Sequence, residues 1–156
     1  MKDKMKFSHA LMNNNFTNED MSAVIKLLKK KKIILTQSKT VEKFEKSWSK
    51  WLKVKYSTFV NSGSSANFIS ISLLKALNKN KKKNEIILPA LTWVSDINSV
   101  IMNGFKPVFV DVNLSNLSMN TDQVIQKINK KTLAVFITHA QGFNGLNEKL
   151  LKTLKR

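Results

Sequence analysis

Hydrophobic and polar residues follow each other along this chain in blocks whose period changes from helical to strand-like and back. From Asn18, a stretch with apolar residues at helical spacing predicts a helix, NEDMSAVIKLLKKKK, which Thr17 or Asn18 can cap. A second helix is predicted for KTVEKFEKSWSKWLK, from Lys39. Residues 1–17 show no such period and are expected to form a loosely held arm.

Beyond Tyr56, short apolar runs alternate with longer helical stretches. The runs predict strands, YSTFV, EIILP, PVFVDV and TLAVFITHA, with Pro107 at the first position of its strand. The stretches between and after them predict helices, SSANFISISLLKAL, TWVSDINSVIMN, TDQVIQKIN and NEKLLKTLKR. Strands separated by helices of this length indicate parallel βαβ units with both faces covered. The predicted fold class is therefore a three-layer α/β sandwich with a mainly parallel sheet.

The composition is that of a globular domain of 156 residues with 42% apolar content. The chain has no cysteine, which excludes disulfides and thiolate metal sites, and we expect no metal. It has no secretory signal and no run near the ~20 apolar residues of a membrane span, so we expect a cytoplasmic protein without a membrane partner.

The net charge of +17 raises the possibility of nucleic-acid binding. All the basic residues except Arg156 are lysines, however, whereas base and phosphate recognition favours the bidentate guanidinium of arginine. The dense runs Lys29–Lys32 and Lys79–Lys83 fall at predicted helix ends, where cations are favourable and solvated. We therefore expect no nucleic-acid partner.

The loop NSGSSA lies between a predicted strand and a predicted helix, the position at which α/β sheets bind ligands. Gly63 permits unusual backbone conformations and the close approach of a ligand. Ser64 and Ser65 would offer backbone N–H groups in open space at a helix N-terminus, which is suited to a phosphate. The alternative is a capped helix behind a flexible turn.

Trp93 opens the next predicted helix at the same edge of the sheet. It could stack on a flat ring whose phosphate binds the serine turn. The alternative is a core tryptophan, as we expect Trp48 and Trp51 to be.

Three long segments resemble one known family, the DegT/DnrJ/StrS-type nucleotide-sugar aminotransferases. The segments are TQSKTVEKFEKSWSKWLKVKYSTFVNSGSSAN, EIILPALTWVSDINSVIMNGFKPVFVDVN and TLAVFITHAQG. The resemblance runs from about Ile34 to the last residue, and these enzymes use pyridoxal 5′-phosphate (PLP) on the aspartate-aminotransferase fold (fold type I). It implies an N-terminal arm and helix over residues 1–33 and the N-terminal part of the PLP-binding large domain over residues 34–156.

The resemblance also implies roles for individual residues. Gly63, Ser64 and Ser65 would form the phosphate cup and Trp93 would stack on the pyridoxal ring. Thr36, in the TQS element, and His139, in ITHAQG, fall near the expected cofactor, although a structural, hydrogen-bonded histidine is the preferred interpretation of His139.

Two residues depart from the family pattern, and one acidic residue needs an assignment. Ser38 stands where the family has glycine, and Asp96 replaces a smaller residue after the tryptophan; both departures bear on the substrate side more than on the cofactor side. Asp111 matches a different family position from the carboxylate that pairs with the pyridinium nitrogen, and we interpret it as structural.

The family is more than twice as long as this chain. Its Schiff-base lysine and the carboxylate that pairs with the pyridinium nitrogen match no residue here. The chain is therefore expected to be an N-terminal fragment without activity of its own. Strands near Ile86, Val108 and Val135 should form one parallel group, and residues 57–60 should form no ladder with residues 133–138.

The resemblance implies transamination of a 3-keto or 4-keto nucleotide sugar, in cell-surface polysaccharide or deoxyamino-sugar biosynthesis. Glutamate would be the amino donor and the full-length family member a homodimer. Three alternatives remain open: a sugar 3-dehydratase of the same family, a non-catalytic module that binds a phosphate ligand or a partner subunit, and, least favoured, a nucleic-acid-binding protein.

Overall fold

The computed structural model describes residues 15–155, so most of the predicted N-terminal arm lies outside the described residues. The helices are α1 (Asn18–Leu28), α2 (Lys39–Leu52), α3 (Gly63–Leu77), α4 (Val94–Met102), α5 (Thr121–Lys127) and α6 (Glu148–Leu154). The strands are β1 (Glu85–Pro89), β2 (Lys106–Val110) and β3 (Thr132–Val135), and a 3₁₀ turn spans Ala140–Gly142. No helix among the described residues is long and apolar enough to cross a membrane.

The chain divides into two compact units. The first ends at Phe59 and the second begins at Val60. The predicted domain boundary between residues 33 and 34 concerns the extent of the family domain and stays a prediction.

The first unit contains α1 and α2, and both helices have side-chain caps. Thr17 and Asp20 form a reciprocal capping box at the start of α1. Ser38 caps α2 by accepting a hydrogen bond from the backbone N–H of Thr40. The serine that departs from the family pattern therefore has a local structural role here.

The tryptophans of α2 are not core residues, contrary to the sequence-based expectation. Trp48 and Trp51 are both exposed, and their rings stack with centroids 4.9 Å apart. Phe44 stacks on Trp48 at 6.0 Å and meets Phe59 edge-on at 5.4 Å. The helical spacing was predicted correctly, but within this unit the aromatic side chains pack mainly on one another.

The predicted strand over residues 56–60 is absent from the structure. The side chains of α2 satisfy polar groups of this segment instead: Glu45 accepts a hydrogen bond from the Phe59 N–H at 2.8 Å, and Ser49 donates to Ser57 at 2.9 Å. A strand requires a neighbouring strand for its hydrogen bonds, which β-propensity alone does not supply.

The second unit contains a three-stranded parallel sheet in the order β2-β1-β3. Ile86 pairs with Pro107 and with Ala134, and Ile87 pairs with Val108 and with Val135. The prediction of one parallel group near Ile86, Val108 and Val135 is confirmed. The sheet of the described residues includes no strand from residues 57–60, also as expected.

Helices cover both faces of this sheet. One face packs Ile87 and Val110 against Val124 of α5 and Leu150 of α6. The opposite face packs Ile86 against helices α3 and α4, through Ile71 and Val100. Successive residues of a strand point to opposite faces, so β1 is fully buried. The predicted three-layer α/β architecture is confirmed.

Several predicted boundaries are wrong by a few residues. Pro107 is the second residue of β2, which is tolerated because β2 is an edge strand of the described sheet. Strand β3 ends at Val135, although the predicted strand continued to Ala140. Helix α3 has Ile71 as its buried residue, while Phe68 and Leu73 are exposed.

The buried carboxylate of Glu85 makes a testable contribution to stability at the amino end of the sheet. Asn129 donates a hydrogen bond to it at 2.9 Å, and the Lys106 ammonium lies 3.6 Å away. These contacts, led by the Asn129 hydrogen bond, hold the pKa of Glu85 below its ordinary value. A lowered pKa in the folded state stabilises the protein above the unfolded pKa, and this stabilisation is lost as the pH falls through the folded pKa.

We therefore expect Glu85→Gln to lower the melting temperature at pH 6, and the difference from wild type to shrink below about pH 4.3, the ordinary pKa of glutamate. Thermal melts of both proteins from pH 6 to pH 3 measure this. A difference that stays constant over the whole range would show that the charge of Glu85 is not responsible.

Candidate cofactor site

The carboxyl ends of the three parallel strands lead into loops at one edge of the sheet. Adjacent strands β1 and β3 are followed by helices on opposite faces, α4 and α6. Where two adjacent strands are followed by helices on opposite faces, a crevice forms at the carboxyl ends of the strands, and α/β sheets bind ligands there. Thr92, after β1, and Thr138, after β3, meet in this crevice with their hydroxyl oxygens 2.7 Å apart.

The serine turn forms the first turn of α3. Ser62 is its N-cap, and its hydroxyl accepts a hydrogen bond from the backbone N–H of Ser65 at 3.1 Å. The Ser65 hydroxyl donates to Asn61 at 2.6 Å. Within the described chain, the backbone N–H groups of Gly63 and Ser64 have no hydrogen-bond partner. The predicted anion-binding turn therefore offers the amides of Gly63 and Ser64, whereas the expectation of a free Ser65 amide is wrong because that group completes the cap.

Gly63 does not need the conformational freedom that the sequence suggested. Among the described residues, the glycines with positive φ are Gly104 and Gly142, whereas Gly63 is the first residue of a regular helix. A Cβ built at Gly63 would have no protein atom within 4 Å. The position of the missing Cβ is open space, which is compatible with the close approach of a ligand to this turn.

Trp93 is the N-cap residue of α4 and makes no side-chain cap hydrogen bond. Its relative exposure is 71%, so the alternative of a core tryptophan is wrong. A large exposed ring beside a helix start is available to a ligand. Its distance from a phosphate at the α3 turn stays a prediction.

The starts of α3 and α4 lie side by side. Asn67, one turn into α3, donates hydrogen bonds to Ser95 at 3.2 Å and to the Asp96 carboxylate at 2.6 Å. Asp96 is only 4% exposed, and its side chain faces α3 and the crevice residues. Its bearing on the substrate side stays a prediction. The sequence shows an acidic residue in the first turn of a helix, a common arrangement that does not reveal its burial or its partners.

The remaining predicted residues have ordinary structural settings. His139 is exposed, and its Nδ1 accepts a hydrogen bond from the Gly145 N–H at 2.9 Å, which agrees with a structural histidine. The Asp111 carboxylate accepts from the N–H of Val112, within its own turn. Thr36 belongs to the first unit, where it is exposed before α2. The near-site role of Thr36 and of His139 stays a prediction.

A second concave surface lies at the amino ends of β1 and β3. This cavity of about 800 Å³ is bordered by lysines and asparagines, Asn80, Lys81, Lys82, Lys83, Asn84, Asn129, Lys130 and Lys131. It is at the opposite end of the strands from Thr92 and Thr138. It is therefore a competing location for an anion that binds the described residues through charge alone.

Comparison with known proteins identifies the family. The profile of the DegT/DnrJ/EryC1/StrS aminotransferase family matches residues 14–149. The chain belongs to this family.

The curated and solved relatives include both aminotransferases and sugar 3-dehydratases. GDP-perosamine synthase of Vibrio cholerae is 32% identical over 109 residues, which cover 70% of this chain and 29% of that protein. GDP-4-keto-6-deoxy-D-mannose 3-dehydratase of Yersinia pseudotuberculosis is 26% identical over 141 residues, 89% of this chain and 35% of that protein. The solved structure of PseC of Helicobacter pylori, an aminotransferase involved in the biosynthesis of pseudoaminic acid, has a TM-score of 0.77 and 27% identity, covering 90% of this chain and 36% of that one.

The chain thus spans about a third of the length of the relatives that it matches. Structural neighbours of the same fold have been solved in a PLP-form and a PMP-form.

Proposed function

We propose that this chain is the part of a PLP-dependent nucleotide-sugar aminotransferase that holds the phosphate and one face of the ring of the cofactor. The observation that carries this proposal is the pair of free backbone N–H groups at Gly63 and Ser64, at the start of α3. The neighbouring start of α4 bears the exposed ring of Trp93.

The residues present fit the phosphate and the ring of PLP. The first amides of a helix point along its axis and favour an anion, and the open space at Gly63 admits one. The Ser64 hydroxyl is exposed and adds a further donor. The Trp93 indole supplies an aromatic face for the pyridine ring. When bound, PLP supplies an electron sink for carbanion chemistry; the residues of this chain bind and orient it.

The names of the relatives support the proposed substrate class. The substrate is a keto nucleotide sugar, since GDP-perosamine synthase and GDP-4-keto-6-deoxy-D-mannose 3-dehydratase are named for GDP-linked sugars. Glutamate is proposed as the amino donor, a homodimer as the assembly, the cytoplasm as the location, and polysaccharide or deoxyamino-sugar biosynthesis as the setting. One relative is named a lipopolysaccharide biosynthesis protein, which supports that setting.

A 3-dehydratase of the same family is the second candidate. The match to the Yersinia pseudotuberculosis 3-dehydratase spans 89% of this chain, more than the 70% covered by the match to GDP-perosamine synthase, although at lower identity.

We expect the 156-residue chain alone to show no transaminase activity, because the matches leave two thirds of the relatives uncovered and the Schiff-base lysine matches no residue here. The measurement is incubation with PLP and glutamate, followed by borohydride reduction and peptide mapping. Slow modification scattered over many surface lysines is the expected result. One lysine modified stoichiometrically, or the release of 2-oxoglutarate, would contradict it.

A chimaera tests whether the segment serves this function. Residues 14–149 would replace the matching segment of Vibrio cholerae GDP-perosamine synthase, and GDP-perosamine formation would be followed by mass spectrometry. We expect measurable product from the chimaera and, at limiting PLP, clearly less product from the same chimaera carrying Gly63→Val. A folded chimaera without product would count against the proposal, provided that the parent enzyme is active in the same assay.

A further inference from the structure

Asp96 is a buried carboxylate that the proposed function does not use. It is the third residue of α4 and is 4% exposed. A carboxylate is strongly unfavourable in a protein interior unless donors replace its lost hydration. The residues that donate hydrogen bonds to Asp96 therefore indicate its structural role.

The donors to Asp96 come from three separate segments. Asn67 of α3 donates to one carboxylate oxygen at 2.6 Å. The hydroxyls of Thr92 and Thr138 lie 2.5 and 2.7 Å from the other oxygen. Each hydroxyl has a single proton, so two of the three contacts among these hydroxyls and the carboxylate are hydrogen bonds at any moment. One side chain thus joins the start of α3, the loop after β1 and the loop after β3.

We propose that Asp96 is a positioning residue that holds the free amides of α3 and the Trp93 turn in a fixed relation. Asn67 is one turn beyond Gly63, and Asp96 is three residues beyond Trp93, so the Asn67–Asp96 hydrogen bond spans the gap between the two helix starts. This inference rests on the proposed function, because the groups that Asp96 positions are those assigned to the cofactor. Groups held rigidly before binding lose less entropy when the ligand arrives.

The helix pair has a second, independent polar contact farther along. Asn103, at the end of α4, is buried and accepts a hydrogen bond from Ser72 of α3 at 2.8 Å. Its amide also donates to the Ser99 carbonyl at 2.8 Å. Loss of Asp96 should therefore loosen the cofactor end of the pair while Asn103 continues to hold the other end. Asn103 also provides a matched control, since it is a buried polar residue of the same interface remote from the helix starts.

The experiment compares Asp96→Ala, Asp96→Asn and Asn103→Ala in the full 156-residue chain. Hydrogen exchange, read by NMR, follows two amides at the helix starts, those of Ala66 and Asp96. In the Asp96 variants the exchange of Ala66 and of residue 96 should accelerate by about tenfold, the effect of losing one hydrogen bond to a charged group. Asn103→Ala should change both by less than about twofold while exchange near Gly104 accelerates. Asp96→Asn keeps the side-chain volume, so it provides the readout if the alanine variant fails to fold.

Affinity for pyridoxamine 5′-phosphate (PMP) is the second readout. PMP lacks the aldehyde and so cannot react with the many lysines of the chain. Asp96→Asn should weaken its binding by about tenfold and Asn103→Ala by less than about twofold. Equal effects of the two variants on both readouts, or no local acceleration at Ala66 in either Asp96 variant, would overturn the inference. If wild type binds no PMP, the proposed function fails, and hydrogen exchange alone decides whether Asp96 positions the two helix starts.

Discussion

Replacing Gly63 with valine is expected to weaken PMP binding by the 156-residue chain by about tenfold or more, the effect of losing one or two hydrogen bonds to a charged group. A Cβ at this position meets no neighbouring protein atom within 4 Å, so valine fits without a clash, and we expect its branched side chain to hinder a phosphate that approaches the Gly63 and Ser64 amides. The helix itself should tolerate the change, because glycine is a poorer helix former than valine. Isothermal titration with PMP and a thermal melt measure the two effects separately.

Ala76→Val is the matched control for this variant. Ala76 is exposed near the other end of the same helix, so the substitution adds a β-branched side chain to α3 far from the turn. We expect its PMP affinity to equal that of wild type. If Gly63→Val binds PMP as tightly as Ala76→Val does, the phosphate does not approach this turn.

Trp93→Ala is expected to weaken PMP binding by about two- to tenfold, the range of an aromatic stacking interaction. The ring is 71% exposed and makes no cap hydrogen bond, so its removal should leave the melting temperature nearly unchanged. Inorganic phosphate has no ring, and its affinity should be the same in the variant as in wild type. Titrations with PMP and with phosphate measure this difference.

Trp51→Ala is an unusually close control, because Trp51 is also 71% exposed and lies in the other compact unit. Its substitution should not change the affinity for PMP. Equal losses in Trp51→Ala and Trp93→Ala would indicate nonspecific association with exposed aromatic surface, and the assignment of Trp93 to the cofactor ring would then fail.

Local patterns predicted the order of the elements because helix and strand periods are properties of neighbouring residues. EIILP is β1 without any shift, and α2 differs from its predicted range by one residue. Residues 56–60, YSTFV, were also predicted as a strand because aromatic and β-branched residues favour strands, but they do not form one. Strand formation depends on a pairing partner elsewhere in the chain, which no local pattern reports.

Burial was the property that the sequence predicted least well. Trp48 and Asp96 have the opposite burial from that suggested by their residue types: the tryptophan is exposed and the carboxylate is enclosed. Both outcomes depend on tertiary neighbours, such as Asn67 and Thr138 for Asp96, which are 29 and 42 residues away in the sequence. The serine turn could be located because its composition and its position after an apolar run are local signals. Which of its amides is free depends on the Ser62 cap.

An NMR titration of the ¹⁵N-labelled chain with PMP decides whether the α3 turn and Trp93 hold the cofactor. We expect saturable shifts of the Gly63 and Ser64 backbone amides together with the Trp93 indole, whereas pyridoxamine, which lacks the phosphate, should leave the two amides unmoved. Inorganic phosphate should move the two amides and leave the indole nearly unchanged. Shifts confined to the lysine-bordered cavity around Lys81–Lys83 and Lys130–Lys131, with Gly63, Ser64 and Trp93 unaffected, would contradict it.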